Sequence, residues 1–444
     1  MKKACFLRVL ILSLMVYACT EKPEELNLDP ETETLVEILK AEMHPLSINP
    51  LGWTDEDLYW LDPIAEKSVI ALGEATHGSA EFFNAKHRIF RHLVENHGYK
   101  VFAFEADFGE SLFINEAVQE GNANQIDALM RSKMHFWTWK TEEVREMLEW
   151  MCEYNKGKAE SDRIQYMGMD CQFNTYHPDM VKEYLDGKEL PFEPFADSIL
   201  GRAKIDSENN FEDYTPESFE LYVGKLDALK DSMAVYKDVI IASSSDKDLQ
   251  LYLRILELVR QVSEVKYYYQ TQQYSINYRD KYMAENTVWL SEYFKGEKIA
   301  VWAHNGHIAN LEYGNTGTMG NYLSYRLGDE YATIGFLFSR GSFTAVGMDG
   351  DQYTGLETQT LDTLPRENSL NAIMSYTREP AFSIELLRLQ AYVNWFLAFN
   401  KHMEYFQIGA VYNNIPGDYY STFDPFLYDY LIYFDKSTAS VLLD

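Results

Sequence analysis

The segment Val69–Phe83 reads VIALGEATHGSAEFF. A carboxylate, Glu74, and an imidazole, His77, stand three residues apart just past an apolar run. Other apolar runs are followed by polar residues in the same way: Glu105 and Asp107, then Asp170, then His304 with His307 three residues later. Imidazoles and carboxylates gathered in one place can move protons near neutral pH or hold a metal ion. Ligands of open α/β sheets bind outside the carboxyl ends of the strands. These residues therefore fall at one edge of one predicted sheet, and their convergence is more specific than any single motif.

The elements that must position them are readable. SVIALG (68–73), KVFAFEA (100–106), RIQYMGMD (163–170), KIAVWAH (298–304) and YATIGFLF (331–338) are short apolar runs. Strands covered on both faces of a parallel sheet have this character. Helical spacing lies between them, over 80–97 up to Gly98 and over 141–155, where Val144, Met147, Leu148 and Met151 share a face. The alternation predicts an α/β fold with a mostly parallel central sheet flanked by helices. From about 178 to 295 the strand signal vanishes. Stretches such as LYVGKLDALKDSMAVYK and DLQLYLRILELVRQVSEV predict a large helical insertion, a lobe on the α/β core.

In the helix after Gly78, the residues Phe82, Phe83, Ile89, Phe90 and Leu93 form an apolar face, and Lys86 lies on it. A lysine there either has a partner or runs its stem along the surface and keeps its ammonium in water. Ser79 reads as the helix N-cap. No Gly-x-Ser-x-Gly elbow occurs, so a serine hydrolase of the usual α/β type has no support.

The formal net charge of −30 argues against nucleic acid or anionic lipid as a partner, since phosphate binding needs clustered cations. At the N-terminus, Lys2, Lys3 and Arg8 lead into VLILSLMVYA, which is too short to span a bilayer and reads as a signal peptide over 1–18. Val16-Tyr17-Ala18-Cys19 resembles a bacterial lipobox, which makes Cys19 the lipid-anchored first residue of the mature chain. The polar run TEKPEELNLDPETET then reads as a tether, the two together occupying 19–50 and the folded domain 51–444. This places the protein in the bacterial cell envelope as a membrane-anchored lipoprotein with no transmembrane helix in the mature chain. Cys152 and Cys171 are read as unpaired.

The stretches GEATHGSAEFFNAKHRIFRHLVENHGYKVFAFEAD, FWTWKTEEVREMLEWMCEYN, IQYMGMDCQ, NYRDKYMAENTVWL, VWAHNGHIAN and TMGNYL follow one another in this order. Together they resemble the erythromycin esterase family, some of whose members are described as succinoglycan-biosynthesis-like, over about 65–340. The resemblance implies a hydrolase that cleaves a carboxylic ester or lactone with an activated water, without a covalent acyl-enzyme and without a cofactor. Where the substrate is a macrolide, such activity confers antibiotic resistance. The resemblance carries the family's essential histidine to His77, its loop glutamate to Glu74 and its strand carboxylate to Glu105. The later histidine pair maps to His304 and His307, and the basic residue of the first helix to Lys86.

The chemistry of these residue types agrees. Water needs a base, a carboxylate can orient that base, and a tetrahedral intermediate needs positive charge for its oxyanion. On this reading His77 is the base and Glu74 or Glu105 orients it. Lys86, with His304 and His307, serves the oxyanion or the leaving group of a small-molecule ester. Two other readings use the same residues. One is a metal-dependent hydrolase built on the same His/Glu cluster, although neither HExxH nor a CxxC pair is present. The other is a non-catalytic surface lipoprotein that binds a ligand in a groove lined by some of its 32 Tyr and 8 Trp.

Overall fold

All five apolar runs become strands of one sheet: Val69–Leu72 (β1), Tyr99–Asp107 (β2), Gln165–Asp170 (β3), Lys298–Trp302 (β4) and Tyr331–Asp349 (β5). The computed structural model describes residues 27–273, 277–314, 316–392, 394–395 and 402–443. Four later segments join the same sheet: Gln352–Leu361 (β6), Ala381–Glu385 (β7), Tyr430–Ser437 (β8) and the two-residue Val411–Tyr412, which runs parallel to the end of β5. The order is β7-β8-β5-β1-β4-β2-β3. Every neighbouring pair from β8 to β3 is parallel, while β7 runs antiparallel to β8 and β6 antiparallel to β5. The expected mostly parallel sheet is thus found, with antiparallel additions at one side.

Register explains why the polar residues meet. Leu72 pairs with Trp302, and Trp302 pairs with Phe104. Strands β1, β4 and β2 therefore reach the same level together. The residues that follow, Gly73-Glu74, Ala303-His304 and Glu105, emerge side by side.

The flanking helices include Pro30–Glu42 (α1), Ala80–His97 (α2), Phe108–Glu120 (α3) and Glu142–Asn155 (α4). Ser79 caps α2 through its hydroxyl, which accepts from the Phe82 N–H. Gly98 ends it at φ 73°, a conformation that costs glycine little. The apolar face of α2 packs on the sheet, with Phe82 edge-on to Phe336 and Phe90 stacked on Phe102. The expected lobe is present as His177–Leu185 (α5), Glu193–Glu208 (α6), Pro216–Val235 (α7), Asp246–Gln270 (α8) and Tyr278–Tyr293 (α9). Cys152 and Cys171 are buried and free. Among the described residues, no helix is long and apolar enough to cross a membrane.

The folded body begins before residue 51, the boundary expected for it. The signal peptide and Cys19 lie outside the described residues, but much of 30–50 belongs to the folded body. Helix α1 buries Leu35, Val36, Ile38 and Leu39, and His44–Pro45 adds a short strand to β7. The acidic, proline-containing composition that suggested a flexible segment is a helix start. Asp29 accepts hydrogen bonds from the N–H groups of Glu31 and Thr32, and Pro30 occupies the first helical position.

Candidate active site

The loop between β1 and α2 is pinned at both ends by glycines. A Cβ on Gly73 would lie 2.1 Å from Asn305 Oδ1, and one on Gly78 would lie 2.0 Å from the carbonyl oxygen of Thr344. Between them, Glu74 is completely buried. Its Oε1 lies 2.6 Å from His77 Nδ1. Its Oε2 accepts from Lys86 Nζ at 2.7 Å and from Trp302 Nε1 at 2.6 Å. Burial alone would raise the pKa of this carboxyl, but Lys86 and His77 outweigh burial and hold it at about 2. Glu74 is therefore an anion whose oxygens are both engaged. The hydrogen bond to Nδ1 fixes the His77 tautomer and leaves Nε2 as the proton acceptor on the cavity side. Of the two candidate orienting carboxylates, Glu74 is the one that does this.

Lys86 does not take the role expected of it. Its side chain is fully buried behind Glu74, with Nζ 4.3 Å from the centre of the Trp302 ring. Burial draws its pKa down to about 8, against the pull of Glu74. The ammonium faces neither water nor the cavity, so it serves no oxyanion. It is the counter-ion that lets Glu74 be charged in the core.

Glu105 anchors a second network. Its Oε1 accepts from Arg279 NH2 at 2.6 Å and lies 3.2 Å from His307 Nε2, while Oε2 accepts from the His304 backbone N–H at 2.8 Å. Arg279 also grips Asp170 with two nitrogens, at 3.0 and 2.8 Å. His307 Nδ1 lies 2.9 Å from Asp280. Burial disfavours the protonated His307 ring, but Asp280 and Glu105 outweigh burial and raise its pKa to about 10. Arg279 NH1 lies 2.9 Å from His307 Nε2, a contact that a neutral ring accepts and a charged ring opposes. Two carboxylates against one guanidinium favour the imidazolium.

His304 departs from expectation as well. Its Nε2–H donates to the carbonyl of Ile408 at 3.0 Å, and its Nδ1 accepts from the Gly306 N–H at 3.0 Å. Burial, with His77 beside it, lowers its pKa to about 4. A neutral ring with both nitrogens engaged transfers no proton. Its ring, tilted against that of His77 with the centres 5.2 Å apart, packs His77 in place. Asp107 also leaves the site, since its carboxylate caps α3 by accepting from the N–H groups of Gly109 and Glu110.

The site residues that sequence reading missed are Arg279 and Asp280, on the first turn of α9, and Trp302. The Arg-Asp pair lies in NYRDKYMAENTVWL, inside the tract read as helical lobe. An adjacent cation and anion just past the N-cap Asn277 was the available signal.

These groups surround a cavity of about 200 Å³ lined by His77, Glu105, Trp137, Trp139, Gln172 and Arg279. At Gln172 and Arg279 it meets a larger cleft of about 600 Å³, whose walls include Phe173, Tyr268, Tyr278, Asp280 and His307. Among the described residues, the His, Asp and Glu atoms that converge to metal-binding separation are those of Asp62, His92 and His97, far from this cavity in the fold.

The arrangement defines an α/β protein with a carboxylate-oriented histidine and a cationic cluster at the carboxyl edge of its parallel strands. The chain belongs to the erythromycin esterase family, whose model matches residues 94–437. It is similar to YbfO of Bacillus subtilis (strain 168), which carries the name of a hydrolase, with 24% identity over 78% of this chain and 80% of that one. It is also similar to erythromycin esterase type II of Escherichia coli, with 26% identity over 70% of this chain and 79% of that one. Solved structures share the fold. A Bacillus cereus protein superposes with a TM-score of 0.77 at 22% identity, covering 93% of this chain and 99% of that one. A mutant of the erythromycin esterase EreC in its open conformation gives 0.68 at 16% identity, covering 91% and 99%.

Proposed function

We propose that this protein hydrolyses a carboxylic ester or lactone by direct attack of a water molecule activated by His77. The observation that carries the reading is the partly exposed His77, held by buried Glu74 and lining a cavity that also presents Arg279. His77 Nε2 takes a proton from water as the oxygen bonds to the substrate carbonyl carbon. The carbonyl oxygen becomes an oxyanion facing the Arg279–His307 cations. Collapse of the tetrahedral intermediate breaks the carbon–oxygen bond, and the imidazolium returns its proton to the leaving alkoxide.

The charges suit this sequence. Glu74, Glu105, Asp170 and Asp280 carry four negative charges, while Lys86, Arg279 and protonated His307 carry three positive ones. The network is short of one positive charge, which His77 supplies on becoming an imidazolium. Stabilisation of a charge that exists only after proton transfer lowers the barrier to that transfer.

The adjoining aromatic cleft suits a substrate with a bulky ring system beside its ester. Macrolide lactones belong in the test panel because a relative is named an erythromycin esterase. Acylated sugars test the same cleft. Each compound is incubated with wild type and with His77→Ala, and products are read by mass spectrometry, as a gain of 18 Da for a lactone and as the separate acid and alcohol for an acylated sugar. Turnover by wild type that falls at least 100-fold in the variant is expected. A hydrolysed substrate whose kcat survives His77→Ala overturns the base assignment. Stoichiometric binding with no turnover favours the ligand-binding alternative.

A further inference from the structure

At the opposite end of α2 from His77, Asp62, His92 and His97 each present one ligand atom, all within 4.8 Å of one another. We propose that these residues bind a zinc-class divalent cation that staples the end of the 3₁₀ segment Glu56–Leu61 to the last turns of α2.

Four observations point to a ligand. First, His92 is only 2% exposed, and its Nε2 is buried without a hydrogen-bond partner, 3.7 Å from Asp62 Oδ1. A buried ring nitrogen left unsatisfied is costly, and a metal ion is one of the few things that satisfies it. Second, His97 Nε2 lies 3.1 Å from the same Asp62 oxygen. Ligand atoms about 2.0–2.1 Å from a tetrahedral zinc stand about 3.3 Å apart, so 3.1 and 3.7 Å bracket what a bound ion requires.

Third, the other nitrogen of His92 has a carboxylate within hydrogen-bond range, and that of His97 has one nearby but beyond it. His92 Nδ1 is 3.0 Å from Asp55 Oδ1, and His97 Nδ1 is 3.9 Å from Glu66 Oε1. Asp55 is itself held by Arg88 NH2 at 2.8 Å. The carboxylate behind His92 fixes the metal-binding tautomer of that ring. The Asn96 amide, 3.1 Å from His92 Nδ1, can present its oxygen to the same proton. Fourth, the set combines a rigid helix with the end of a short 3₁₀ segment, Glu56–Leu61. His92 and His97 are fixed by α2, while Asp62 has half its side chain in solvent, so the fourth position of a bound ion would open to water. Two imidazoles and one carboxylate plus water is zinc chemistry.

The site does not touch the catalytic cavity, so its role is structural, and its test does not depend on any substrate. Chelator-treated full-length protein is titrated with ZnCl₂ by calorimetry and with CoCl₂ by absorbance. One metal per chain is expected, with the visible bands of tetrahedral cobalt. Tm should rise by about 3 °C at a hundredfold excess of zinc over Kd. Asp62→Asn and His97→Asn, both at partly exposed positions, should weaken binding at least tenfold while remaining folded by circular dichroism. Asp55→Asn should weaken it about tenfold through His92. His77→Ala should bind as wild type does. The proposal is overturned by the absence of stoichiometric binding, by binding that both Asp62→Asn and His97→Asn leave unchanged, or by binding lost in His77→Ala, which would move the metal to the catalytic cluster.

Discussion

His307 shows how neighbours decide what a side chain can do. Three residues after His304, it has the opposite environment: carboxylates on both ring nitrogens raise its pKa to about 10, while burial lowers that of His304 to about 4. The sequence places both imidazoles at the sheet edge, but it does not show that one is a fixed cation and the other a neutral wedge. The same limit applies to Lys86, whose helical position reveals a buried face and not the Glu74 carboxylate behind it. A raised folded-state pKa has a definite consequence for stability. The contribution of His307 is fully present below its unfolded pKa near 6.5 and is lost as pH rises through about 10. Lys86, lowered to about 8, works in the opposite sense between 8 and 10.5, so raw Tm values mix the two. The useful quantity is the Tm difference between wild type and His307→Gln. That difference is expected to be largest at pH 6 and to shrink steadily toward pH 10. A difference independent of pH would remove the charged-His307 assignment.

The elements were legible where one physical rule dominates. Strands β1 to β4 announced themselves because a strand covered on both faces must be apolar throughout. Their shared ends then followed from parallel register. β8 carries the same kind of run, Tyr430–Phe434, but no helix pattern beside it indicates that it inserts between β5 and β7. Helix α9 was hidden differently, since its polar first turn looks like the rest of the lobe until Arg279 meets Asp170 and Glu105. The loop from Gly73 to Ser79 sits where these elements converge, and its glycines make a test at this scale. Thr344 donates its N–H to the Gly78 carbonyl at 2.9 Å, so the two backbones are already in contact. Gly78→Ala would drive a Cβ to within 2.0 Å of the Thr344 carbonyl oxygen, which belongs to β5 and cannot easily give way. The loop should shift instead and take His77 with it. A Tm loss of several degrees with kcat reduced at least tenfold is expected, by calorimetry and by whichever ester the screen identifies. A variant with wild-type kcat would show that the base does not depend on this clamp.

Across the whole molecule, the start of the folded body is the feature that composition misplaced. Residues 20–34 are acidic and polar, as a tether would be, yet Asp29 and Pro30 are the first positions of a helix that docks. α1 lies against Leu370–Tyr376 and Leu386–Leu389, and Leu46 donates its N–H to the Ala381 carbonyl, so the N-terminal segment closes the β7 side of the sheet. Burying a large aliphatic side chain is worth about 1.5–3 kcal/mol, and α1 buries four. Ordering the helix backbone consumes much of that, leaving a few kcal/mol for the docked segment. Two truncations separate the readings. A chain beginning at residue 27 keeps α1 and should melt as the untruncated chain does. A chain beginning at residue 51, the boundary that composition suggests, exposes β7 and its apolar surroundings. It should lose about 3 °C or more in Tm and gain a tendency to aggregate, because an uncovered sheet edge invites pairing with another chain. If both truncations melt alike, 27–50 is a tether after all, and the docking of α1 contributes nothing to the stability of the domain.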